Sequence, residues 1–252
     1  MVSGGQGCEV VSLGEMFVRL KRMLPGAAPV RPEAATLATF GPGSEIELPF
    51  RITVCGINEL ATHREARVSH VLSILDPDWP EPEIFVRFGE HERLELRFHD
   101  VIDDEPGSVA PDPGHVRQLL DFGAGLEREP GAHLLVHCHA GVSRSPASMA
   151  LLIAQAMPQQ PGEAIFAEIM RVRPQIWPNL RIVELGDQAL GRNGDLIAAA
   201  HRVHRFQIGK RPELIAAFRS GGRGREVDAA LRAVKPAPGA GGGGDAALNR
   251  RA

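Results

Sequence analysis

Tyrosine does not occur in this chain of 252 residues, tryptophan occurs twice and cysteine three times. Cys8, Cys55 and Cys138 are too few and too scattered to form a disulfide framework. No apolar run is long enough to cross a bilayer, and the first residues, although partly apolar, lack a clean cleavage site. These absences lead to the expectation of a reducing, cytoplasmic setting in which a reactive thiol survives. Charge of one sign is also missing. With 28 Lys and Arg against 31 Asp and Glu, the net charge is −3, and nothing marks a nucleic-acid binder or a membrane partner. Internal repeats are absent. His133, His137 and His139 cluster with Cys138, but no C-x2-C or H-x3-H pair accompanies them, so no metal site is expected.

What is present is an ordinary soluble composition, 43% hydrophobic and 23% charged, arranged in three zones. Residues 1–48 are poorly patterned and rich in breakers, as in PGAAPVRP and FGPGSE, and read as an N-terminal extension. Residues 49–206 read as one catalytic domain including C-terminal helices. Residues 207–252 read as a tail, disordered from about 235, where KPAPGAGGGG begins. Within the middle zone, Arg51 to Cys55, Val71 to Leu75 and Leu94 to Phe98 have strand patterns. Glu83 to Phe88 is a further strand or an irregular piece. Asn58 is placed to cap a helix running through His63 to Ala66. His115 to Leu126 has helical spacing at Val116, Leu119, Leu120 and Phe122. Strands alternating with helices imply an α/β fold: a mostly parallel central sheet of about four to five strands, flanked by helices on both faces.

The decisive stretch is HCHAGVSRS, His137 to Ser145. Leu134, Leu135 and Val136 lead in as a buried strand, and Ala147 to Ile153 lead out as a helix. A short loop between a strand end and a helix start aims backbone N–H groups, and the positive end of the helix dipole, at one spot. Gly141 permits the sharp bend. Arg144 adds a planar fork that matches two phosphate oxygens. A thiol in such a field gives the thiolate, which is the nucleophile. On this reading Cys138 is an attacking group at the floor of a phosphate-sized cup. His139, Ala140, Gly141, Val142, Ser143 and Arg144 form its wall. Ser145 is placed to donate to the sulfur, and His137 to orient the loop.

These residues resemble the H-C-x5-R-S signature of the cysteine-dependent protein tyrosine phosphatase superfamily, in a dual-specificity-like bacterial form, over roughly Phe50 to Arg192. The resemblance implies a protein phosphatase of that kind, acting through a phosphocysteine on a phosphorylated protein or small phosphomonoester, with no cofactor. It also implies a general acid on a loop upstream of the cysteine. Asp100, just past the Leu94, Leu96, Phe98 alternation, is the first candidate, with Asp104 and then Asp103 as rivals. The run RPQIWPN is similar to the family's RP…PN segment. Pro174 ends one helix, Pro178 takes the first position of the next, and Asn179 braces the phosphate loop. Because tyrosine is absent, a tyrosine-lined deep pocket of the tyrosine-specific kind is not expected. The loop carries no lysine, which argues against multiply phosphorylated lipids. The alternative is a catalytically silent phosphate-binding module. Cys55 reads as a small buried hydrophobe, or as a partner that traps an oxidised Cys138. Oligomeric state is not legible.

Overall fold

In the computed structural model, residues 46–126 and 128–232 are described. The expectations for the first 45 residues and for those after 232 lie outside them. Four strands, β1 (Arg51–Gly56), β2 (His70–Leu75), β3 (Glu92–Arg97) and β4 (His133–Cys138), form one parallel sheet in the order β1-β4-β2-β3. The last strand in sequence is therefore inserted at the centre. Every residue of β2 and of β4 is buried, which is why both read as near-continuous apolar runs rather than alternating ones.

Alternation along β4 divides its side chains between two cores. Leu134, Val136 and Cys138 enter the larger core with α1 (Pro113–Leu126), α2 (Arg144–Ala156), α3 (Gly162–Val172), α4 (Leu180–Ala189) and α5 (Asp195–Lys210). Leu135 faces the other way, into a smaller cluster with Cys55, Leu60, Val71, Phe85 and Phe88. That second face is covered by two 3-10 segments, Ile57–His63 and Glu83–Arg87. The α/β architecture is as the sequence predicts, and the cover of the second face is shorter and more irregular than full helices. Helix α2 lies at the centre of the larger core and is buried from Arg144 to Ala154.

Several local expectations change. Of the two readings for the piece from Glu83, the irregular one holds: it is a 3-10 segment, not a strand. The first 3-10 segment is preceded by Gly56, whose N–H donates to Glu59 Oε2 at 2.7 Å, so Asn58 lies inside it rather than capping it. Helix α4 begins at Leu180, capped by Asn179, whose Oδ1 accepts from Ile182 N at 3.1 Å; Pro178 precedes the cap.

The largest difference is at the C-terminal end. Residues assigned to a tail form α6 (Leu214–Ser220) and α7 (Gly224–Arg232), which close a third apolar cluster around Trp177. The indole is sandwiched between Phe218, centroid to centroid 3.8 Å, and His204 at 4.4 Å. The sequence hides this because the apolar positions of both short helices are few and find their partners more than thirty residues upstream. The contacts make α6 and α7 part of the domain. Truncating Phe218 to Ala is expected to cost about 3–5 kcal/mol of folding stability, measurable as a lowered urea midpoint.

Candidate active site

Cys138 ends β4, beside Gly56 of β1 in the sheet register. The chain then loops through 139–143 into α2 at Arg144. The loop's shape follows from where its carbonyls go. His139 O accepts from Ile57 N at 3.1 Å, Val142 O from Trp177 N at 2.7 Å, and Ser143 O from Asn179 N at 3.2 Å. Ala140 O accepts from Arg173 Nη2 at 2.9 Å, while Arg173 Nη1 is anchored on Glu59 Oε2 at 2.7 Å. All four carbonyls are held by groups outside the loop. In a trans peptide the following N–H points opposite to the carbonyl. The amides of Ala140, Gly141, Ser143 and Arg144 therefore turn to the concave side, and none of them donates to an acceptor among the described residues outside its own helix. Such a nest of N–H groups at the start of a buried helix binds an oxyanion.

The bend rests on glycine. Gly141 has φ +67°, and a Cβ there would lie 2.3 Å from the carbonyl carbon of Cys55. Backbone meets backbone at that point, so no side-chain adjustment relieves the clash.

Arg144 is 2% exposed. Its Nη1 donates to Asp76 Oδ1 at 2.6 Å and to Phe98 O at 2.7 Å. Its Nε is buried without a partner among the described residues. One nitrogen thus holds the plane of the guanidinium, and the Nε edge is left for an anion. Burial opposes its charge, but Asp100, Cys138 and Asp76 outweigh burial and hold the guanidinium more firmly protonated than usual. His139, on the rim, has Nδ1 3.6 Å from Asp76 Oδ2 and its ring 4.3 Å from that of Trp79, which is half-exposed.

The three aspartates proposed as acids separate here. Asp103 pairs with Arg225 and Asp104 with Arg181, both at the exposed outside of the loop. Asp100 reaches loop 139–143. Its Oδ1 accepts from Ser143 Oγ at 2.8 Å, Asn179 Nδ2 at 2.8 Å and Arg223 Nη1 at 3.2 Å. Burial pushes this carboxyl up, but the guanidinium groups of Arg223 and Arg144, with the two hydrogen bonds, outweigh it and hold it below the ordinary aspartate range. Ser143 belongs to the wall through its backbone, while its hydroxyl is committed to Asp100.

His137 lies behind the loop, with Nε2 2.7 Å from Ser73 Oγ. Burial, with Arg93, pushes its imidazole down to about 3, so it is a neutral brace. Ser145 Oγ is buried with no partner among the described residues, which leaves its proton available. Cys55 packs in the cluster opposite to that of Cys138. The two side chains leave neighbouring strands on opposite faces of the sheet, so Cys55 is the small buried hydrophobe of the first reading, and the alternative of a disulfide trap falls. Among the described residues, no three metal-ligating side chains converge.

Asp76, Trp79, Arg173, Arg223 and Glu226 were not singled out from the sequence as site residues, except that Arg173 belongs to the RPQIWPN run. Asp76 read only as the end of β2, and the Arg223–Glu226 spacing of three is common on exposed helices.

No protein-family model matches the chain, and no curated protein matches it. Solved structures do. PTPMT1 in complex with PI(5)P shares 18% identity, with 56% of this chain and 91% of that one covered at a TM-score of 0.42. The Yvh1 phosphatase domain from Chaetomium thermophilum shares 19%, with 60% and 96% covered at 0.41. PTP-2 phosphatase of Cydia pomonella shares 23%, with 55% and 84% covered at 0.43.

Two outcomes follow from this electrostatic arrangement. Burial pushes the Cys55 thiol up to about 12, so iodoacetamide at neutral pH should leave Cys55 unmodified in the folded protein, as peptide mass mapping would read. Because the Asp100 carboxyl is depressed in the fold, its contribution to stability is complete above the unfolded value of about 4. It is lost as pH falls through the lowered value, so acid titration should show a stability decline that Asp100→Asn lessens.

Proposed function

We propose that this chain is a phosphomonoester hydrolase working through a phosphocysteine, with a protein tyrosine or dual-specificity-like phosphatase activity. One observation carries the reading. Cys138 ends β4 at the foot of a loop in which the carbonyls of His139, Ala140, Val142 and Ser143 are tied outward, and the loop leads into Arg144, whose Nε has no partner among the described residues. That combination supports a nucleophile set against a site for three phosphate oxygens.

The Cys138 thiolate attacks phosphorus. The S–P bond forms as the P–O bond to the leaving group breaks, and Asp100 gives its proton to the departing oxygen. Charge on the equatorial oxygens falls on the loop amides and the Nε edge of Arg144. Asp100, now the carboxylate, takes a proton from water as that water attacks phosphorus. Phosphate leaves, and the Ser145 hydroxyl donates to the sulfur as the S–P bond breaks. Three donors meet Oδ1 of Asp100 and none among the described residues meets Oδ2, which leaves Oδ2 for the mobile proton.

The wall side chains His139, Ala140, Val142 and Ser143 include no lysine. This supports a substrate with a single phosphoester, on a phosphorylated protein or a small molecule. The Trp79 and His139 rings, tilted 44° to one another, give the rim an aromatic character suited to an aryl ester. A phosphate-binding module without turnover is the second reading. It is favoured by the downward shift at Asp100, which leaves little of the acid form at neutral pH.

The test is phosphate release from 4-nitrophenyl phosphate, with vanadate as inhibitor. Turnover is expected, Cys138→Ser abolishes it, and failure of both release and vanadate binding would refute the reading. Asp100→Ala should slow phenyl phosphate by about 10²–10⁴-fold and an activated dinitrophenyl ester far less. Since the acid form of Asp100 is required, kcat/KM should fall as pH rises through its lowered pKa, which places the optimum on the acid side of neutrality. A single-turnover experiment that shows binding with no burst would select the module.

A further inference from the structure

Arg223 is a charged group to which the proposed chemistry assigns no part, and it is 1% exposed. It lies where the chain passes from α6 to α7 through Gly222, at φ +75°, and its N–H donates to Phe218 O at 2.8 Å. Its Nε and Nη2 meet the two oxygens of Glu226 at 2.7 and 2.6 Å. Glu226 in turn accepts from Trp177 Nε1 at 2.6 Å and from Leu180 N at 2.9 Å. That bidentate pair already satisfies the burial of both charges. The third nitrogen does something that anchoring a helix does not require. Nη1 donates to Ser143 Oγ at 2.8 Å and to Asp100 Oδ1 at 3.2 Å.

The direction of the hydrogen bonds matters. Arginine only donates, so Ser143 Oγ must accept from Arg223 and pass its single proton to Asp100 Oδ1. One guanidinium therefore sets both the rotor of a loop hydroxyl and the position of the carboxyl. Resting on the hydrolase reading, we propose that Arg223 is a positioning residue of the site. From a segment 80 residues downstream of Ser143, it holds the general acid against the phosphate loop and biases the proton to the free oxygen of that acid.

The charged groups around Asp100 come from several elements. Arg223 approaches from before α7, with Glu226 behind it, and Arg144 from α2. Asp76 after β2 and Cys138 of β4 face Arg144. Arg181 and Arg225 are occupied by Asp104 and Asp103. Removing Arg223 takes away the largest of the influences that lower Asp100.

The experiment compares the wild type with Arg223→Gln and Arg223→Lys, reading the pH profile of kcat/KM for an aryl phosphate. Arg223→Gln should shift the falling limb upward by about one pH unit. A lysine reaches Glu226 or Asp100 but not both, so Arg223→Lys should shift it in the same direction by less. A limb that stays in place while only the plateau or the melting temperature drops overturns the proposal, because a purely structural residue behaves that way. If Arg223→Gln does not fold, Arg223→Lys decides: an unmoved limb overturns the coupling. Carbon-13 NMR of labelled aspartate follows the Asp100 carboxyl in the same proteins without turnover. A wild type that releases no phosphate, with Asp100 titrating higher in the variants, sinks the hydrolase reading and retains the coupling. Equal titration in all three sinks the coupling.

Discussion

The geometry of loop 139–143 depends on which way its peptide planes face. A polypeptide that binds an anion with its backbone must send its carbonyls elsewhere, and buried carbonyls need donors. Two segments supply them here: the turn after β1 through Ile57 N, and the 173–179 run through the Arg173 side chain and the backbone N–H groups of Trp177 and Asn179. Each donor is worth on the order of 1 kcal/mol alone, but together they leave the planes no alternative orientation. Gly141 against Cys55 is the steric counterpart of the same constraint.

Around that loop the fold buries charge rather than avoiding it. Arg144, Arg223 and Glu226 are almost wholly covered, and Asp100 nearly so. Desolvating such groups costs several kcal/mol each, and only close partners with good geometry offset it. The partners form a connected set that runs from Glu226 through Arg223 to Asp100 and Ser143. Phe98 O and Asp76 hold Arg144 from the other side. Low polarity strengthens each of these contacts and also makes each dependent on the rest. The residues to which the proposed chemistry is assigned and those that stabilise the surrounding core are therefore not separable populations.

Much of the architecture was legible before any coordinates. The apolar runs of β2 and β4 announced buried parallel strands, and the Val116, Leu119 and Phe122 spacing announced α1. The HCHAGVSRS stretch located the cup, because the strand, the bend and the helix start are all encoded within one short window. Asp100 was chosen over Asp103 and Asp104 by its distance from the strand end, and it is the one of the three that reaches the loop. What escaped was non-local. The helices α6 and α7 are short, and their apolar side chains find meaning only against Trp177. The 3-10 cover of the second face has no strong periodicity to read.

The sequence by itself determined the local chemistry: a cysteine, a bend and an arginine in one short turn, with an acid after a strand. Chain spacing keeps the cysteine, the bend and the arginine within one short window, while the acid lies in a separate segment upstream. Only the tertiary structure decided how that chemistry is held. It chose which carbonyls are tied back, which edge of Arg144 is left open, and that Arg223, distant in the chain, touches both Asp100 and Ser143. Such contacts arise when separate elements share one buried interior, where an unpaired charge is too costly to leave, and no short window of residues records which partner will be there.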